Sequence, residues 1–232
     1  MSIYISEIFG PTIQGEGQLI GKPTVFVRVG GCDFRCTWCD SKYAVKPQYR
    51  PDWDKMTSAE IFTEIKRLTD GQPILVTLSG GNPAMFDFSE LIALGHKEGF
   101  TFAMETQGSI TKPYFADLDY LTVSPKPPSS RTPFDPNKLA TCLSAHSNPT
   151  LKIVVADGKD YRFAKRLQKK YPNIPMTLQP CNLQADEDEV TDVDTLTEQL
   201  EWLIEKVHTD ELYQVTILPQ LHVLLWNNKR GV

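Results

Sequence analysis

Three cysteines stand close together near the start of the 232-residue chain. Cys32, Cys36 and Cys39 are spaced C-x3-C-x2-C, and the aromatic Trp38 comes directly before the third. Sulfur ligands favour zinc, copper(I) or iron–sulfur sites, but a structural zinc site uses four protein ligands. The sequence offers no fourth Cys or His nearby, since the next histidine is His96. Three ligands without a local fourth favour an iron–sulfur cluster with one iron open to another ligand.

Other loops also carry groups that suit ligand binding. Gly80 and Gly81 let the backbone approach a ligand closely, although a plain strand-to-helix turn uses glycine in the same way. Glu105 ends an apolar run, where a carboxylate can accept hydrogen bonds from sugar hydroxyls; an exposed strand end is the alternative. Arg28 lies inside a β-branched run, and a buried guanidinium needs either an anionic ligand or a structural ion pair.

The elements that must position these residues alternate between strands and helices. Apolar runs predict strands at residues 24–29, 73–78, 100–105, 118–123, 151–156, 176–179 and 213–218. A capping box at Thr57 and Glu60 opens a predicted helix, and helical periodicity predicts others at 87–97, 159–170 and 193–207. Five prolines predict a stiff loop at 124–136. This alternation indicates an α/β fold with a parallel sheet that binds ligands beyond the carboxyl ends of its strands.

Composition excludes several classes of protein. The formal net charge is −5, from 24 Lys and Arg against 29 Asp and Glu, with an acidic stretch beginning at residues 186–189. This balance argues against a surface built to hold nucleic acid. No apolar run approaches the roughly 18 residues of a membrane span, and the N-terminus lacks the basic residues of a signal peptide. Five cysteines, an odd number, suit a disulfide framework badly. We therefore expect a cytoplasmic protein with no nucleic-acid or membrane partner.

The cysteine spacing, with Trp38 before the last cysteine, resembles the cluster loop of the radical S-adenosylmethionine (SAM) enzymes. The resemblance implies that Cys32, Cys36 and Cys39 hold a [4Fe–4S] cluster whose open iron binds SAM. It also implies a partial (β/α)6 barrel of the radical SAM type, with reduced helix content because residues 108–120 are too few for a full helix. The residues that it places at the cofactor are Trp38, Cys39, Asp40, Gly80, Gly81, Asn82, Glu105, Ser124, Pro125, Lys126, Gln179, Pro180, Cys181 and Asn182.

One of these positions departs from the usual pattern. The stretch Gly80-Gly81-Asn82-Pro83 resembles the Gly-Gly-Glu-Pro loop that contacts the methionine amino group in radical SAM enzymes. Asn82 stands where the acid is usual, so we expect an amide oxygen or the backbone to make that contact.

Further motifs resemble one family of this superfamily, the 7-carboxy-7-deazaguanine synthases of the queuosine pathway. They lie at residues 9–17, 39–41, 105–108, 124–128 and 219–232. The resemblance covers essentially the whole chain as a single domain, with residues 1–23 as a substrate-binding extension and residues 219–232 as a tail folding over the site. It implies conversion of 6-carboxy-5,6,7,8-tetrahydropterin to 7-carboxy-7-deazaguanine with loss of ammonia.

The same resemblance implies a substrate site, a magnesium ion and two kinds of partner. Gln14 and Glu16 supply the amide and carboxylate that a pterin edge requires, and Arg28 suits the substrate carboxylate. Ser41 would contact a Mg²⁺ ion that bridges to the substrate, with Asp40 near its water shell. The expected substrate contacts are Ile13, Gln14, Gly15, Glu16, Arg28, Ser79, His222 and the carboxylate of Val232. A homodimer and an external electron donor of the flavodoxin or ferredoxin type are also implied.

Two other functions fit parts of the sequence. A radical activating enzyme would remove hydrogen from a glycine of a partner protein, although the Gln14-Gly15-Glu16 segment counts against it. A non-enzymatic zinc module would use the cysteine loop as a structural staple. Cys142 and Cys181 fit buried packing residues, and we expect Cys181 in the wall of the site rather than as a fourth ligand.

Overall fold

One mixed sheet organises the chain. The computed structural model describes residues 2–183 and 191–232, so the acidic stretch at 186–189 lies outside the described residues. The strands are β1 (Ile3–Ile13), β2 (Pro23–Val29), β3 (Asp54–Met56), β4 (Leu75–Gly80), β5 (Thr101–Thr106), β6 (Tyr120–Val123), β7 (Pro149–Val155), β8 (Met176–Pro180) and β9 (Val215–Ile217). Their order across the sheet is β3-β1-β2-β4-β5-β6-β7-β8-β9.

The strands that carry the polar loops run parallel. Neighbouring strands are parallel throughout the part of the sheet with the order β2-β4-β5-β6-β7-β8-β9. This part of the sheet confirms the predicted α/β class, and each of the seven predicted strands is present. Within the described residues the edge strands β3 and β9 do not pair with each other, so the barrel is partial.

The first strand was not predicted. The apolar runs predict no strand before residue 24, but most of the motif at residues 9–17 belongs to β1, which pairs antiparallel with β2 and β3. Gly10 and Pro11 make this strand hard to predict from sequence, because that dipeptide usually marks a turn. The pairing with β2 accommodates them by shifting register between Phe9 and Thr12.

Among the described helices, the longer ones pack on the main hydrophobic core, and the two shortest border a cavity at the carboxyl ends of the strands. The helices are α1 (Lys42–Val45), α2 (Ser58–Leu68), α3 (Ser89–Lys97), α4 (Pro136–Ser144), α5 (Gly158–Lys170), α6 (Val193–Thr209) and α7 (Leu221–Trp226). The capping box of Thr57 and Glu60 begins α2 as predicted. The prediction missed α4, in which Pro136 occupies the first turn and Asp135 caps the backbone N–H of Asn137. None of the described helices is long and apolar enough to cross a membrane.

Alternate residues of the parallel strands divide the core from the site. In β2, Val25, Val27 and Val29 are fully buried in the main hydrophobic core, whereas Phe26 and Arg28 face a cavity on the other side of the sheet. The same alternation continues in the following strands and leaves mostly polar side chains on the cavity side. The polar face of the sheet therefore carries the candidate site.

The chain between β1 and β2 reaches across the concave side of the sheet. A 3₁₀ turn at Gly17–Leu19 places Leu19 against Leu75, Ala103 and Tyr120 from three neighbouring strands. This small apolar cluster closes the amino-terminal end of the partial barrel. The same turn places Glu16, which precedes it, next to β7 and β8.

Candidate active site

A cavity of about 230 Å³ opens at the carboxyl ends of the parallel strands. Four parts of the chain form its wall: the loop after β1, the cysteine loop, the strand ends and the C-terminal tail. The predicted site residues on this wall are Ile13, Gln14, Gly15, Glu16, Arg28, Cys32, Cys36, Trp38, Cys39, Asp40, Ser41, Ser79, Gly80, Gly81, Glu105, Ser124, Lys126, Cys181, Asn182, His222 and Val232. The fold thus gathers most of the expected cofactor and substrate residues around one space.

Four predicted residues lie off this wall. They are Asn82, Pro125, Gln179 and Pro180. The amide of Asn82 is fully buried, donates to Asp33 Oδ1 at 2.8 Å and accepts from Thr106 Oγ1 at 2.8 Å. Its contacts therefore tie the cysteine loop to β5, and they do not favour the expected contact of the Asn82 side chain with methionine.

Gly81, directly after β4, seats the cysteine loop. A Cβ atom on Gly81 would lie 1.9 Å from the carbonyl oxygen of Gly31, the residue directly before Cys32. That carbonyl accepts a hydrogen bond from the Asn82 N–H at 2.9 Å. The close approach that the glycine pair predicted is thus made between two loops of the protein.

The three cysteines present half-buried thiols to the cavity. Burial raises the pKa of all three thiols above the usual value, and the nearby Asp40 carboxylate also raises the pKa of Cys39, to about 12. A cation that binds here must therefore displace protons, as metals do when they bind cysteine.

A buried aspartate holds the aromatic residue of the cysteine loop in place. Asp160, fully buried at the start of α5, accepts hydrogen bonds from the backbone N–H and the hydroxyl of Ser129. The Ser129 hydroxyl in turn accepts the indole N–H of Trp38 at 2.9 Å. The loop after β6 thereby fixes the rim of the cavity next to the cysteines.

The donor set fits an iron–sulfur cluster better than a single metal ion. Within the described residues, no group of three or more His, Cys, Asp or Glu side chains converges to hold one ion. In a [4Fe–4S] cluster each cysteine binds a different iron, so its ligands need not converge on one point. The three thiols of Cys32, Cys36 and Cys39 suit such a cluster because they border one cavity from one loop.

A buried lysine that was not among the predicted site residues, Lys152, borders the cavity. Lys152 on β7 forms an ion pair with Glu16, in the loop after β1. Its Nζ also lies 2.5 Å from Oε1 of Glu105, at the end of β5. The Lys152 side chain is 4% exposed. Burial alone would raise the pKa of Glu16, but the Lys152 ammonium outweighs it and holds that pKa well below its usual range. A lysine flanked by apolar residues in a strand was the available signal.

Two amides hold the second oxygen of the same carboxylate. Gln179 Nε2 and Gln220 Nε2 donate to Glu16 Oε1 at 3.0 Å and 2.6 Å. Since a carboxylate can only accept, the carbonyl oxygen of each amide must point away from Glu16. Those two oxygens are buried, and the described residues give them no hydrogen-bond donor. Glu16 is therefore fixed in an ionised state, and Gln220, which borders the cavity, offers an acceptor that suits an N–H group of a ligand.

Arg28 takes part in a structural ion pair. Its Nε donates to Glu7 at 2.7 Å and its Nη1 donates to Ser41 Oγ at 3.3 Å, while Ser41 Oγ donates to Asp40 Oδ1 at 2.9 Å. The hydroxyl of Tyr43 also donates to Glu7. The structure thus shows the pairing that the buried guanidinium requires, and Arg28 still borders the cavity.

The C-terminal tail closes one side of the cavity. The Leu221 N–H donates to the Gly15 carbonyl at 2.9 Å, and His222 packs so close to Gly15 that a Cβ there would lie 2.3 Å from its Nδ1. Farther along, the Arg230 guanidinium lies 3.7 Å from the ring centroid of Tyr43. The tail places the last residue, Val232, on the cavity wall, as its predicted fold-back requires.

Comparison with known proteins gives consistent matches. Residues 26–125 match the sequence profile of the Radical SAM superfamily. The 7-carboxy-7-deazaguanine synthase of Bacillus subtilis is 44% identical over 242 aligned residues, which cover 99% of this chain and 98% of that protein. The enzyme of the same name from Bacillus cereus is 39% identical, with 99% of each chain covered.

A solved structure agrees with these matches. The crystal structure of QueE from Escherichia coli aligns with a TM-score of 0.71 and 25% identity, over 96% of this chain and 95% of that chain. The matched superfamily segment contains β4, β5 and the cysteine loop. On this similarity over nearly the full length, the chain belongs to the 7-carboxy-7-deazaguanine synthase family of the radical SAM superfamily.

Proposed function

We propose that this protein converts 6-carboxy-5,6,7,8-tetrahydropterin to 7-carboxy-7-deazaguanine with loss of ammonia, in queuosine biosynthesis. The observation that carries the proposal is one cavity bordered by the cysteine loop, the Gln14-Gly15-Glu16 segment and the C-terminal tail. The relatives named 7-carboxy-7-deazaguanine synthase support it at up to 44% identity. The alternatives of a glycine-activating enzyme and a zinc module lack this combined support.

Glu16 would hold the substrate. The pterin edge carries N–H donors, and an ionised carboxylate is a strong acceptor for them. Glu16 is ionised and held by Lys152 and two glutamine amides, so its orientation is set before a ligand arrives. Arg28 and His222, which border the same space, would face the substrate carboxylate.

The cysteine loop would hold the cofactors. Cys32, Cys36 and Cys39 would bind a [4Fe–4S] cluster, and the strand-end loops with Glu105 and Lys126 would bind SAM. When bound, the reduced cluster and SAM supply a one-electron cleavage that yields a radical able to remove a hydrogen atom from the substrate. The protein contributes by excluding water from the cavity and by fixing the distance between the cofactor and the substrate.

Magnesium would bind beside Ser41. The Ser41 hydroxyl lies between Asp40 and Arg28, where a hard cation could take a hydroxyl, water molecules and a substrate oxygen as ligands. We also propose an external electron donor of the flavodoxin or ferredoxin type, a homodimer, and the cytoplasm as the location. The reduced thiols of a cluster loop require such a reducing compartment.

The test is turnover by the full-length protein after anaerobic reconstitution with iron and sulfide. The protein is incubated with reductant, SAM, Mg²⁺ and the carboxytetrahydropterin, and the product is identified by mass spectrometry. Glu16→Gln should lower kcat/KM at least tenfold by removing a charged acceptor, whereas Glu64→Gln on the exposed face of α2 should match the wild type. An intact cluster without a deazaguanine product would refute the proposal.

A further inference from the structure

Lys152 is a buried cation shared by two carboxylates. Its side chain is 4% exposed, and its neighbours on the opposite face of β7, Leu151 and Ile153, belong to the hydrophobic core. An ammonium group buried in this way is costly unless it is paired. Glu16 and Glu105 provide the pairing, although they come from a loop after β1 and from the end of β5.

The two carboxylates serve different ligands in the function proposed above. Glu16 faces the substrate, and Glu105 is the expected acceptor for the ribose hydroxyls of SAM. Both border the same cavity, together with Lys152 itself. The ammonium group therefore connects the substrate position with the cofactor position through two ion pairs.

The other nearby cations have different partners. Arg28 is held by Glu7 at 2.7 Å, and Lys126 lies 3.3 Å from the hydroxyl of Ser124 and over the ring of Trp38. Without Lys152, Glu16 and Glu105 would thus face the cavity as two like charges in a poorly solvated space. Such charges repel each other, and Glu105 loses the ion pair that orients it, whereas Glu16 keeps only its two glutamine donors.

We propose that Lys152 is a positioning residue that makes SAM and the substrate bind cooperatively, an inference that rests on the proposed function. A ligand that fixes one carboxylate holds the ammonium in place and thereby orders the other carboxylate. The second ligand then pays less to organise its site, which is positive cooperativity. Such coupling must be reciprocal, so each ligand should lower the Kd of the other by the same factor.

The experiment measures this factor without turnover. Full-length protein carrying its cluster is kept anaerobic and without reductant, and the Kd of SAM is measured by calorimetry with and without saturating 6-carboxytetrahydropterin. In the wild type, saturating substrate should lower the Kd of SAM at least about fivefold. The reverse titration should give the same factor.

Three variants separate positioning from general destabilisation. Lys152→Met should bring the factor close to one, and Lys165→Met, which removes an exposed ammonium on α5, should keep the wild-type factor. The double variant Lys152→Met/Glu105→Gln keeps the net charge of the site while it removes the bridge. It should also give a factor close to one, and it remains informative if Lys152→Met alone does not fold.

The outcomes are distinct. A wild-type factor of one, or a wild-type factor retained in the double variant, would overturn the role of Lys152 while leaving the proposed function in place. Binding of SAM with no binding of the carboxytetrahydropterin would overturn both proposals together. Loss of coupling in Lys165→Met as well would show that coupling reflects overall stability, and it would also overturn the role of Lys152.

Discussion

Replacing Gly81 with alanine should displace the cysteine loop. An alanine Cβ would lie 1.9 Å from the Gly31 carbonyl oxygen, and Cβ contacts below 3.0 Å essentially never occur. The carbonyl must therefore retreat by about 1.1 Å, unless β4 moves instead. The atoms in conflict belong to two backbones, so no side-chain rotation relieves the clash.

The size of the effect follows from the bonds at this carbonyl. It accepts the Asn82 N–H at 2.9 Å, and a retreat of this size breaks that bond. A lost hydrogen bond with a buried N–H left unpaired costs about 1 to 3 kcal/mol of unfolding free energy. Because Cys32 follows Gly31 directly, the cluster should shift too, and a displacement near 1 Å can lower a rate about 100-fold.

Two assays separate these effects. Thermal unfolding reports the loss of stability, and product formation at equal iron and sulfide content reports the misplaced cluster. The matched control is Gly158→Ala, since a Cβ there would meet Arg162 Nη1 at an ordinary 3.5 Å. Wild-type stability and kcat in Gly81→Ala would refute the claim that this glycine seats the cluster loop.

Three further predictions concern charge and the tail. Lys152→Met should lower the unfolding free energy by about 1 to 3 kcal/mol, because it leaves two partly buried carboxylates without their cation, whereas denaturant unfolding of Lys165→Met should stay near wild type; equal losses would contradict this. Arg230→Ala removes the contact with Tyr43, so hydrogen exchange at residues 229–232 should accelerate and KM should rise about 3- to 10-fold; unchanged exchange would contradict the anchoring role. Burial raises the pKa of Cys39 to about 12. The rate of Cys39 alkylation in cluster-free protein should therefore rise about tenfold per pH unit between about pH 7 and pH 9. A rate that does not change with pH would contradict this.

The sequence predicts the parallel sheet well because its strands are buried on one face and end in polar loops. It predicts β1 poorly, since Gly10 and Pro11 resemble a turn and the register shift that absorbs them depends on β2. The sequence also fails to predict α7, for a different reason. That helix has six residues, too few to show helical periodicity, and Leu221 is fixed by its hydrogen bond to Gly15.

The site was predictable where a residue's role depends on local sequence. The cysteine spacing and the strand ends predicted which loops would border the cavity. The role of Asn82 was not predictable, because its partner Asp33 lies 49 residues away in sequence. Lys152 could have been found by the reasoning applied to Arg28, since both are cations within apolar strands, but its two partners are evident only from the fold.

The proposed reaction removes ammonia from a carboxytetrahydropterin to form a deazaguanine. The most direct measurement is the stoichiometry of 7-carboxy-7-deazaguanine and ammonium in an anaerobic reaction with reductant, SAM and Mg²⁺. The wild type should form equal amounts of both products, and Cys39→Ala, which lacks a proposed cluster ligand, should form neither. SAM cleavage by a fully loaded cluster without either product would contradict the proposed reaction.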